Sequence, residues 1–202
     1  MQTDRTNISI DDDVLVARAQ RGDLAAMGML ITKYQSRVYN VVLKICSNVD
    51  DAAELTQETF VRAMQSLENF EARSGFYTWL FRIAVNLTIT YSKKNVRLGL
   101  VSIDENTLQG SQQAKTRLKE ILTDDSVAEP SKIAEDKEML ELVNKGIMKL
   151  DEDQRAVLIL RDIEGMNYAQ IAQILNIEAG TVKSRLSRAR ANLREFLEAI
   201  LL

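Results

Sequence analysis

The chain has 202 residues, 46% hydrophobic and 27% charged, with a net charge of −3 at neutral pH and an isoelectric point near 5.2. One Cys and no His leave no internal disulfide and no ordinary zinc site, so neither a metal nor another cofactor is expected. No apolar run reaches the roughly 18 residues that span a bilayer, and no signal peptide opens the chain, so the expectation is a cytoplasmic protein that is not integral to a membrane.

The absence of His removes the commonest acid–base group. No nucleophile–base pair, phosphate-binding Gly loop or metal cluster stands out, and the chain is read as no enzyme. One Pro, eight Gly and long helical periodicities predict an all-α fold. Charge is blocked along the chain. Six acids against Arg62 give −5 over residues 50–71, and five bases without an acid give +5 over residues 73–97. Such alternation suits one surface for a protein partner and others for nucleic acid.

Residues 1–10 carry little pattern. A first helix is predicted from about Asp12 to Arg21, ending at Gly22. Asp23 then caps a long helix whose apolar face is Met27, Leu30, Ile31, Tyr34, Val38, Val41, Val42 and Ile45. Asp50 or Asp51 is expected to cap the next helix, with Leu55, Phe60, Ala63, Met64 and Leu67 inward. Glu54, Gln57, Glu58 and Arg62 share its outward side.

The loop FEARSG, Phe70–Gly75, leads into a helix with Phe76, Leu80, Ile83 and Leu87 inward. Beside or opposite them lie Trp79, Arg82, Asn86 and Lys93, with Ile89 nearby. An aromatic, a guanidinium, an amide and an ammonium on one line suit single-stranded nucleic acid, although Trp79 fits an ordinary core equally well. From Leu98 to Glu135 the pattern weakens into an acidic interdomain linker holding the only Pro, with a short helix at about Ala114–Leu122.

A second set of helices begins near Asp136. Met139, Leu142, Val143, Ile147 and Leu150 make one stripe. Asp151, with Gln154 three residues on, caps the next helix; Val157, Leu158 and Leu160 are its buried candidates, and Gly165 ends it. Asn167 with Gln170 repeats the capping arrangement. The stretch NYAQIAQILNIEAGTVKSRLSRARANL then reads as two helices around a tight turn at Asn176. Ile171, Ala172 and Leu175 face inward from the first, and Val182, Leu186, Ala189 and Leu193 from the second. Gly180, Ser184, Ser187, Arg188 and Ala191 point away, flanked by Lys183, Arg185 and Arg190, which suits a helix lying in a major groove.

In order, the motifs DAAELTQETFVRAMQSLENF, FYTWLFRIAVN and LDEDQRAVLILRDIEGMNYAQIAQILNIEAGTVKSRLSRAR resemble a bacterial sigma factor of the small, extracytoplasmic-function (ECF) type. The first two resemble its region 2 and the last its region 4. The resemblance implies a region 2-like domain over residues 1–97, a linker over 98–135 and a region 4-like helix-turn-helix domain over 136–202. It implies core RNA polymerase as partner, through the β′ clamp coiled coil and the β flap. Asp51, Glu54, Leu55, Gln57, Glu58 and Val61 then lie on the clamp-docking helix.

Phe70, Arg73 and Ser74 fall on the loop that captures a flipped −10 base, and Trp79, Arg82, Asn86 and Lys93 on the helix that meets the melting duplex. Thr181, Lys183, Ser184, Arg185, Ser187, Arg188 and Arg190 fall on the reader of the −35 element. Of these, Arg185 and Arg190 are better placed for phosphates. Promoter DNA and an anti-sigma protein are implied partners. Glu178 stands where many relatives carry Pro or Ser, and Ser187 where some carry a bulkier residue. A dimeric helix-turn-helix repressor with a helical sensor domain is the rival reading; the basic block at Arg73–Arg97 speaks against it.

Overall fold

The computed structural model describes the backbone of residues 5–97 and 130–201. Every regular element among the described residues is helical. A first group comprises α1 (Arg5–Ala19), α2 (Leu24–Cys46), α3 (Val49–Ser66) and α4 (Phe76–Arg97). A second comprises α5 (Pro130–Lys149), α6 (Glu152–Leu158), α7 (Tyr168–Leu175) and α8 (Ala179–Leu201). A 3-10 turn, Leu67–Asn69, follows α3, and a π-turn, Ile159–Ile163, extends α6.

In the first group α2 is the central helix, packed against α1, α3 and α4. Its predicted stripe is buried, with Leu30, Val38, Val41, Val42 and Ile45 fully enclosed and Ile31 half-buried. Asp23 caps it, accepting from the backbone N–H groups of Ala25 and Ala26. The acid Asp12 on α1 is buried at 5% exposure and accepts from Lys33 Nζ at 2.7 Å and from the Tyr34 hydroxyl. Burial, then that bond, pushes the Tyr34 phenol well above its ordinary range.

Several boundaries differ from the sequence expectation. α1 begins at Arg5 rather than Asp12, because the stretch before Asp12 has no apolar stripe to announce a helix. The cap of α3 is Asn48, whose side chain accepts from the N–H groups of Asp50 and Asp51. Those two acids sit instead in the first turn, where the helix dipole favours them. Met64 on α3 and Met139 on α5 are exposed at 48% and 46%, so the apolar stripes are narrower than periodicity gave them. α5 starts at Pro130, six residues before Asp136, since a proline lacking an N–H fits the first helical position. The short helix expected at about Ala114–Leu122 lies outside the described residues. Asn48→Ala is expected to lower stability by about 1 kcal/mol in urea unfolding; a change below about 0.3 kcal/mol would mean that neighbouring acids replace the cap.

α4 is buried over a wider arc than one stripe. At 100° per residue, Phe76, Leu80, Ala84, Thr88, Phe81 and Val85 cover about 180° of its circumference. The reason is that α4 packs on α2 and α3 and also on α7 and α6. The two helix groups therefore share one continuous apolar cluster. Within the second group, α8 packs on α5, α6 and α7. Gly146 lets α5 approach α8 closely: a Cβ there would meet Leu193 Cδ1 at 2.5 Å.

Candidate nucleic-acid interface

The turn between α7 and α8 is built as its sequence dictates. Asn167 and Gln170 form a reciprocal capping box at the start of α7. Asn176 ends it in the left-handed conformation (φ 52°), and the Ile177 N–H returns to the Ala172 carbonyl at 3.0 Å. The Thr181 and Val182 N–H groups bond the Glu178 carbonyl, which starts α8. Val182, Leu186 and Ala189 are buried with Ile171 and Ile174 beneath them. Lys183, Ser184, Ser187 and Arg188 are exposed, and Thr181 is half-buried at the N-terminal end. Arg185 and Arg190 differ from that set. Arg185 reaches Asp153 Oδ2 at 3.4 Å, and Arg190 reaches Asp162 Oδ1 at 2.5 Å.

On the first group, the arc of α4 opposite its buried side carries Trp79, Arg82, Asn86 and Lys93 within about 60°. Arg82, Asn86 and Lys93 are exposed, and Trp79 is half-buried. Trp79 lies in an aromatic cluster, its ring centroid 4.9 Å from Phe70 and 5.6 Å from Phe76. Phe70, a candidate contact by sequence, is only 9% exposed: it closes the base of the loop and packs edge-on against Phe76. Arg73 is exposed and bonds Glu71 at 2.5 Å, and Ser74 is half-buried.

Beside this loop is a pocket of about 340 Å3, walled by α1 (Asp13, Val16, Ala17), by Gln20 just past its end, and by Phe70, Ala72, Ser74 and Gly75. Gln20 holds the two walls together, its Nε2 donating to the carbonyls of Leu67 at 3.0 Å and Phe70 at 2.9 Å. Ala72 has a φ of 54°, a left-handed turn imposed on a residue with a Cβ. Sequence reasoning missed α1 here because its partner carbonyls are about fifty residues away.

On α3, Glu54, Gln57, Glu58 and Val61 are exposed. Glu58 pairs with Arg62 one turn on, at 2.6 Å. Asp51 accepts from the Tyr91 hydroxyl at 2.7 Å, which ties α3 to α4. Leu55, a candidate partner contact by sequence, is 5% exposed and belongs to the core. Periodicity places Leu55 inward, as found; the resemblance alone puts it on the docking helix.

Between the helix groups runs a polar seam that sequence gave no sign of. The Arg155 guanidinium donates to four carbonyls: Ile147 at 3.2 Å, Met148 at 2.6 Å and Leu150 at 2.9 Å near the end of α5, and Ile45 at 2.7 Å on α2. Arg37 donates to Glu164 at 3.1 Å and to the Tyr77 hydroxyl at 3.0 Å, and Tyr77 donates to Glu164 at 3.1 Å. Burial, then the nearby Glu164 charge, pushes the Tyr77 phenol well up. Asp153 joins Lys93 of α4, at 3.0 Å, to Arg185 of α8. A cleft of about 470 Å3 lies along this seam, bordered by Tyr34, Arg37, Tyr77, Glu164 and Asn167.

Two family models match the chain: Sigma-70 region 2 over residues 30–98 and Sigma-70, region 4 over residues 140–193. The RNA polymerase sigma-H factor of Pseudomonas aeruginosa is 31% identical over 194 residues, 94% of this chain and 95% of that protein. The ECF RNA polymerase sigma-E factor of Escherichia coli strain K12 is 35% identical over 182 residues, covering 90% and 91% of the two chains. Among solved structures, the sigma factor RpoE bound to the anti-sigma factor NepR, from Bartonella quintana, aligns with a TM-score of 0.62 at 26% identity. That alignment covers 85% of this chain and 96% of that one. No helix among the described residues is long and apolar enough to cross a membrane. A region 2 half, a region 4 half carrying a capped helix-turn-helix, and relatives matched over nearly their whole length make this chain a member of the sigma-70 family of RNA polymerase sigma factors, in its ECF branch.

Proposed function

We propose how this sigma factor divides promoter-directed initiation among its surfaces. Residues 1–97 act as the region 2-like half, 98–135 as a connection and 136–202 as the region 4-like half. Glu54, Gln57, Glu58 and Val61 of α3 dock on the β′ clamp coiled coil, and the second half meets the β flap. Lys183, Ser184, Ser187 and Arg188 face base edges of the −35 element, with Thr181 at the leading end of the same helix. Arg185 and Arg190 hold phosphates. Ser74 lines the pocket that takes an unstacked −10 base and Arg73 stands on the same loop, while Trp79, Arg82, Asn86 and Lys93 line the path of the opened strand.

The observation that carries this division is the fate of the cations. The base-facing cations Lys183 and Arg188 are exposed and make no ion pair among the described residues, whereas Lys93 on the strand path and the phosphate-side Arg185 and Arg190 each hold a carboxylate of the chain itself. Asp153 and Asp162 stand where phosphate oxygens would bind, and a phosphate would have to displace them. A net charge of −3 works the same way, disfavouring DNA binding by the subunit alone.

Elements centred about 25 base pairs apart are roughly 85 Å apart along the duplex at about 3.4 Å per base pair. With α4 packed on α7 the two reading surfaces belong to one body, and a compact chain of this length is only about 40 Å across. Assembly on core polymerase therefore opens the seam between the halves. A protein that binds across both halves would keep such a subunit silent by holding it closed, and RpoE, the similar structure above, is bound by the anti-sigma factor NepR.

The test is reconstitution: the purified chain should bind core polymerase and confer promoter-specific transcription on genomic fragments in vitro, in the cytoplasmic setting this assigns to it. Failure to bind core, or binding without promoter selection, would refute the reading. Within holoenzyme, Arg188→Ala should change −35 preference, with a loss of about 1–3 kcal/mol at one position. A uniform loss across sequences would make Arg188 a phosphate contact instead.

A further inference from the structure

In the pocket behind the 70–75 loop the carboxylate and amide side chains of the lining leave only acceptors free. Asp13 is acceptor-only as a carboxylate, and among the described residues it makes no ion pair. Gln20 uses its amide nitrogen on the carbonyls of Leu67 and Phe70, so what remains free on that side chain is its carbonyl oxygen, also an acceptor. Ser74 can serve either way, and among the described residues the lining carries no cation. The other walls, Val16, Ala17, Phe70 and Ala72, are apolar.

From this lining we infer that Asp13 is a specificity-determining residue, which makes the pocket accept a base bearing an exocyclic amine and reject thymine. The inference rests on the base-capture reading above. Adenine, cytosine and guanine each offer an NH2 group to an acceptor wall, whereas an unpaired thymine offers only its single N3–H, flanked on both sides by carbonyl oxygens. Turning that N3–H to Asp13 would bring the flanking thymine carbonyl oxygens against the Asp13 carboxylate and the Gln20 carbonyl, acceptor against acceptor. Gln20 acts through the loop: by fixing the Leu67 and Phe70 carbonyls it sets the distance between Asp13 and the opposite wall, and it is a positioning residue.

The experiment uses holoenzyme reconstituted with the full chain, on a promoter fragment that it transcribes. 2-Aminopurine placed in turn at each non-template position of the −10 element marks the captured base by a rise in fluorescence. All four natural bases are then compared at that position for open-complex formation. The wild-type subunit should disfavour thymine by about tenfold or more against the best of the other three. Asp13→Ala should compress that ratio to within about threefold, and Asp13→Asn, which adds a donor, should raise the standing of thymine, while −35 selectivity is unchanged in both. Asp13 is exposed, so both variants should fold. Thymine accepted as well as the others by the wild type, or a ratio that neither variant moves, overturns the assignment of Asp13 while leaving base capture intact. Fluorescence that rises at no position overturns the capture reading and this inference with it.

Discussion

Arg155→Ala is expected to lower the unfolding free energy by about 2–4 kcal/mol, measured by urea unfolding of the whole chain. The guanidinium is largely buried, and its desolvation holds it below its ordinary range. It nevertheless keeps its place because its fork meets four carbonyls at once. Three of those carbonyls close the turn between α5 and α6; the fourth, on Ile45, belongs to α2 and ties the second half to the first. Removing the side chain leaves these acceptors under-satisfied in a place water enters poorly. Arg155→Lys should restore less than half of the loss, since a single ammonium cannot match a planar fork. Hydrogen exchange at the end of α2 should rise in the alanine variant, which separates loss of the tie to Ile45 from a loss confined to the α5–α6 turn. A destabilisation under about 0.5 kcal/mol, the usual range for a surface substitution, would contradict this account.

The second large effect separates folding from melting on one helix. Trp79→Ala should cost about 2–3 kcal/mol of stability, because the ring is half-buried against Phe70 and Phe76. Asn86→Ala, at an exposed position on the same line, should change stability by less than about 0.5 kcal/mol. It should nevertheless reduce open-complex formation by about tenfold with core binding intact, which permanganate footprinting and a pull-down on core polymerase would show. Trp79→Phe keeps an aromatic in the cluster and should recover most of the stability. If its open complexes then stay weak, the indole also serves the opened strand; if they recover, Trp79 is a scaffold for Phe70 and the loop. Normal melting by Asn86→Ala would remove the whole line from the strand path.

Much of this molecule was legible in the residues alone. The α2 stripe, the caps at Asp23, Asp151 and Asn167, the turn at Asn176 and the exposed line from Lys183 to Arg188 all follow from local rules. Those rules compare residues no more than one or two turns apart, which is why they work within a helix. They misplaced Met64 and Met139 because a stripe gives the centre of a buried face and not its edges. They overlooked Asn48 because two acids stood in the adjoining positions and looked equally able to cap.

By itself the sequence determined the family, the helices and the two lines of candidate DNA contacts. Only the tertiary structure decided how those lines are tied to the rest of the chain. The second buried side of α4, the Gln20 bridge to the 70–75 loop, the Arg155 tie to Ile45 and the pairing of Lys93 and Arg185 through Asp153 join residues tens of positions apart. A charged or amide side chain looks the same in sequence whether it is solvated or meets a distant carbonyl. Its partner is fixed by how helices pack, and packing depends on burial summed over the whole chain rather than on any local pattern.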